Sequence, residues 1–84
     1  MNSNTISSKK IEELAYEISQ KHKTYDQFVW ELAKSTLLME NGTDPSHDLI
    51  RNIANQIANQ HPTLQELHWL IAEKKLIYKN KFGI

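Results

Sequence analysis

At 84 residues the chain is sized for one domain, near the lower end of what holds a core without disulfide or metal staples. It contains no cysteine, so a disulfide framework and thiolate chemistry are excluded and a reducing, cytoplasmic setting fits. Ten basic and ten acidic side chains cancel, which argues against a dedicated nucleic-acid binder, and the longest fully apolar run, Trp69 to Ala72, is far short of a membrane span.

The opening residues lack the charged start and apolar centre of a signal peptide, so residues 1–7 read as a frayed polar tail before a single domain over 8–84. The two glycines and two prolines fall between segments of helical period. That punctuation predicts an all-α fold, a small bundle of about four helices with no sheet. The first helix is expected over 8–22, capped by Ser7 or Ser8, with Ile11, Leu14, Ala15 and Ile18 as a narrow apolar stripe. Its other face is charged, so it covers a core from outside.

The second helix is expected over 24–41. Thr24 and Gln27 have the spacing of a capping box, and Gly42 supplies the left-handed stop. Its apolar residues occupy more than one stripe: Phe28, Leu32 and Met39 share a face with Thr36, whereas Trp30, Ala33 and Leu37 point elsewhere. Two arrangements follow. Either this is a central helix buried on most sides, or one stripe packs inside and the other is kept for a partner.

The third helix is expected over 44–61, with Asp44 as cap and Pro45 at the first helical position. Leu49, Ile50, Ile53, Ala54, Ile57 and Ala58 form the cleanest amphipathic stripe in the chain, and Pro62 ends it. The fourth helix opens on a second capping box, Thr63 and Glu66, and is expected to reach Lys79, leaving residues 80–84 as a tail. Lysines 74, 75, 79 and 81 gather at its C-terminal end, where the helix dipole favours them without any ligand.

Little in this chain carries catalytic chemistry. The histidines at 22, 47, 61 and 68 have no mutual spacing of three or four residues, so none forms a ready metal pair on a helix face. No glycine-rich phosphate loop occurs, and Ser35, Thr36 and Ser46 lack an evident base and acid. Trp69, Tyr78 and Phe82 among the C-terminal lysines are a stacking set for single strands only in a chain with more positive charge. The expectation is a non-enzyme with no metal and no cofactor.

The end of the second helix is the more informative stretch. Thr36 and Glu40 stand four residues apart, hence on one face, and Asn41 and Gly42 close the helix. A carboxylate in a last turn opposes the helix dipole, and with Leu37, Leu38 and Met39 around it Glu40 sits at the edge of an apolar surface. No cation lies near it in sequence, so its natural partner is another protein's arginine. Ser/Thr-x-x-x-Glu-Asn resembles the inhibitory motif, (Ser/Thr)-x-x-x-Glu-(Gly/Asn), of the small bacterial antitoxins that silence Fic-type AMP-transferases, the VbhA-like proteins. The resemblance covers the motif and, loosely, the region from Phe28 to Leu67.

This resemblance implies an AMPylation inhibitor acting by protein–protein interaction in a toxin–antitoxin pair. Glu40, with Thr36 and Asn41, would enter the partner's nucleotide site and take the arginine that holds the ATP γ-phosphate. Phe28, Trp30, Leu37, Leu38 and Met39 are the residues expected to hold the Fic-domain toxin in a heterodimer, with no membrane and no nucleic acid involved. An alternative is a helical immunity or adaptor protein that binds some other partner, with Glu40 an ordinary surface acid. A helix-turn-helix regulator is disfavoured, because neither helix after Gly42 or Pro62 has a basic leading turn.

Overall fold

Each helix begins where a side chain can take up the free amide groups of its first turn. The computed structural model describes residues 6–83, and among them the elements are four helices and no strand: α1 (Ser8–Ser19), α2 (Tyr25–Asn41), α3 (His47–Asn59) and α4 (Leu64–Phe82). Ser7 caps α1, its hydroxyl accepting from the Lys9 amide at 3.2 Å. Both expected capping boxes form. The Gln27 amide donates to Thr24 Oγ1 at 3.1 Å while the Thr24 amide donates to Gln27 Oε1 at 2.8 Å, and Glu66 and Thr63 exchange the same pair at 3.0 and 2.8 Å.

Several ends differ from the sequence expectation, each for a local reason. α3 starts later than Asp44–Pro45 suggests, because Ser46 takes the cap and its hydroxyl accepts from the Leu49 amide at 3.3 Å. Pro45 then precedes the cap and the buried Ile50 lies in the fourth helical position, the two places of a hydrophobic staple. α1 and α3 stop short of His22 and His61, which turn the chain out of the helix at φ 54° and 52°. Histidine is among the side chains that enter the left-handed region, and here it does what glycine commonly does. α4 runs past Lys79 to Phe82 before Gly83 caps it. Residues 1–5 of the expected polar tail, and residue 84, lie outside the described residues, while Ile6 packs against the core beside Leu14 and Ala15.

The helices pack in the order α1, α4, α2, α3, each against the next. α2 and α4 run side by side in the same direction. The Tyr25 hydroxyl donates to the Pro62 carbonyl at 2.6 Å at one end, Phe28 meets His68 with ring centroids 4.6 Å apart, and Lys81 Nζ donates to the Met39 carbonyl at 3.3 Å at the other. Parallel neighbours need a return segment, and α3 is that segment, laid along α2 only.

Two apolar clusters result. Ile11 and Ile18 of α1, Phe28, Val29 and Leu32 of α2, and Leu67, Ile71 and Ala72 of α4 make the larger; Ala33, Leu37 and Ile50 make the smaller, between α2 and α3. Phe28 and Leu32 of one α2 stripe and Ala33 and Leu37 of the other are thus consumed inside the chain, while Trp30 and Met39 stay half-buried. Of the two arrangements open from sequence, the structure has the central helix, buried on most sides.

Candidate functional site

The end of α2 is built by three interlocking contacts. Gly42 adopts φ 77°, and its amide donates to the Leu38 carbonyl at 2.7 Å, closing the helix with a left-handed turn. The Phe82 ring of α4 lies so close that a Cβ on Gly42 would stand 2.6 Å from Phe82 Cε1. Lys81 reaches over the same end to the Met39 carbonyl, where a cation both satisfies a free acceptor and offsets the dipole. A cation is therefore present at this helix end after all, brought from 42 residues away and spent on the backbone rather than on Glu40.

On that braced turn Glu40 and Asn41 are exposed, and Glu40 makes no hydrogen bond or ion pair with any described residue. Thr36, one turn earlier, is half-buried, and its hydroxyl donates to the Leu32 carbonyl at 2.8 Å. Its proton is committed within the helix, so what Thr36 offers outward is acceptor capacity. The pair together presents oxygen acceptors only, a charged one and a neutral one a turn apart. That is chemistry suited to a guanidinium or an ammonium group, most strongly to the two-pronged fork of arginine.

The five apolar residues expected to hold a partner divide. Phe28 and Leu37 are 3% and 7% exposed and belong to the two clusters; in the folded chain their surface is already used. Trp30, Leu38 and Met39 are half-buried. Trp30 sits edge-on to His47, ring centroids 5.3 Å apart, and with Leu38 it lines a groove of about 480 Å³ on the outer face of α2.

Sequence reasoning missed the charged centre of that groove. Glu31 is bonded by Lys23 at 2.7 Å and by Lys75 at 3.2 Å. Burial pushes its carboxyl pKa up, but the hydrogen bond from Lys23 and the charge and hydrogen bond of Lys75 outweigh burial and hold it below the ordinary value. Lys23 lies before α2 and Lys75 lies 44 positions beyond Glu31, so neither had the helical spacing that would have marked it. A second missed feature is His68, whose Nε2 is buried against the Phe28 ring without a hydrogen-bond partner among the described residues.

Compared with models of known families, with curated proteins and with solved structures, the chain gives no match.

Proposed function

We propose that this chain is a bacterial, cytoplasmic antitoxin that binds a Fic-domain AMP-transferase and inhibits adenylylation by offering Glu40 to the arginine that holds the ATP γ-phosphate. The observation that carries the reading is Glu40 itself: an exposed carboxylate on the last turn of α2, on one face with Thr36 and without a partner among the described residues. A stability role does not account for an unpaired acid at the negative end of a helix. The bracing of that turn by Gly42, Phe82 and Lys81 supports the reading as well, because a rigidly presented carboxylate loses less entropy when a guanidinium captures it. ATP then meets an arginine already paired and cannot take a productive pose.

The test is co-expression with a Fic-domain protein encoded by a neighbouring reading frame, followed by an adenylylation assay on the purified complex. Glu40→Gly and the helix-preserving Glu40→Gln are both expected to leave the complex intact and release activity, with Thr36→Ala releasing less. A complex that forms and stays silent with both Glu40 variants overturns the mechanism. If neither variant binds at all, Glu40 is an ordinary interface residue. The alternative of a helical immunity or adaptor protein is favoured by a different observation, the Trp30–Leu38 groove, which opens on another face of α2 than Thr36 and Glu40.

A further inference from the structure

α2 has two faces and its C-terminal end in use, and one face is left over. Its Phe28–Leu32 stripe packs against α4, its Ala33–Leu37 stripe packs against α3, and its last turn is gripped by the end of α4. The remaining face, running from Gln27 through Glu31 and Lys34 to Leu38, is covered by no helix and forms the floor of the groove of about 480 Å³. Trp30 and Leu38 give it apolar anchors, and the small Ser35 between them leaves the recess. Around these stand Lys23, Lys34 and Lys75 against a single acid, Glu31.

The charges that line the groove are not balanced. Glu31 is already held by Lys23 and Lys75, and a carboxylate so paired stays ionised and fixes both ammonium groups at the groove wall. Each ammonium keeps donors for a further acceptor, while Lys34, exposed on the same face, makes no ion pair with any described residue. An apolar recess a few side chains long, walled by fixed cations and laid along a helix, matches one occupant by shape and charge. We infer that this groove receives an amphipathic helix of a partner protein, with an apolar stripe on Trp30 and Leu38 and Asp or Glu side chains beside it facing the lysines. The inference is independent of the Glu40 mechanism: Glu40 lies nine residues after Glu31, which at 3.6 residues per turn is roughly half a turn round the helix.

The experiment uses the whole chain with Trp69→Phe, leaving Trp30 as the sole indole. The probe is a synthetic amphipathic helix of about five turns with a leucine stripe flanked by glutamate, and the control has the same stripe flanked by lysine. The acidic helix is expected to shift Trp30 fluorescence saturably and to weaken with added salt, and the basic one to do neither. Lys34→Glu should weaken binding about tenfold and Lys34→Ala by less, as loss of a close charge pair does, with circular dichroism confirming that both variants remain folded. Equal binding of the two helices, no binding of either, or no effect of the folded Lys34→Glu variant overturns the inference. So does a Trp30 signal that follows protein concentration without peptide, since the occupant would then be a second copy of the chain.

Discussion

Replacing Gly42 by alanine probes how firmly the end of α2 is fixed, and its two costs can be separated. The backbone at φ 77° lies in the left-handed region, which costs a residue with a Cβ roughly 1–2 kcal/mol. The added methyl also stands 2.6 and 2.7 Å from two carbons of the Phe82 ring, and no side chain tolerates that approach, so the ring must leave. Phe82 is already 39% exposed and can swing outward, giving up part of its burial rather than straining the core, about 1 kcal/mol on the usual scale for a phenyl side chain. The sum is roughly 2–3 kcal/mol, which in a domain of this size lowers Tm by something like 10–20 °C. In a Phe82→Ala background the collision is gone and only the backbone cost should remain, so the two substitutions couple by about 1 kcal/mol. Urea denaturation of the four chains measures it. Equal cost in both backgrounds means the ring does not rest on Gly42, and no cost at all means the turn is not left-handed.

Two further expectations concern stability alone. The Glu31 carboxyl is held below its ordinary value of 4.5 in the folded chain, so its contribution is present above that value and fades as pH falls through the lower folded-state value. Glu31→Gln should cost about 1 kcal/mol at neutral pH, the upper scale of exposed pairs, and flatten the loss of stability below pH 4.5; urea titrations across that window that superimpose for the two proteins would contradict this. His68→Phe keeps an aromatic ring against Phe28 and deletes the unpartnered Nε2. Unfolding free energy should rise by about 1 kcal/mol, since a buried polar atom without a partner is a net cost, and a fall of that size would mean the nitrogen has a function in the fold.

How much of this was legible in the sequence depended on whether the cause was local. Thr24 with Gln27 and Thr63 with Glu66 are three residues apart and carry their whole geometry in that spacing, so both helix starts were found. Gly42 announced its own turn. Asp44 before Pro45 reads as a complete start signal, and Ser46, two residues on and equally able to cap, takes the role instead; the left-handed histidines at 22 and 61 replaced a signal that glycine normally gives. The site divided in the same way. That Thr36 and Glu40 share a face follows from helical period alone, whereas Lys81 on Met39, Phe82 on Gly42 and Lys75 on Glu31 depend on α2 and α4 lying parallel. Nothing in a list of periodic stripes states a direction of packing. The same blindness explains Phe28 and Leu37: an apolar stripe meant for a partner and one meant for a neighbouring helix are identical until the neighbour is placed.

The parallel pairing also bears on how the proposed inhibitor would be made robust. A helix end left to itself frays, because its last carbonyls have no partners and only the final hydrogen bond restrains the turn. A carboxylate on a fraying turn samples many positions, and each must be given up when an arginine takes it. Here the last turn of α2 is tied to α4 by Lys81 on a carbonyl and by Phe82 over Gly42, while the start of the same two helices is tied by Tyr25 on Pro62. Glu40 is thus carried on a strut fastened at both ends, and neither fastening uses Glu40 or Thr36. Loosening the strut and deleting the charge should therefore act differently. Gly42→Ala leaves the acid in place and would weaken inhibition in proportion to the order it removes, whereas Glu40→Gln would abolish inhibition with the fold untouched.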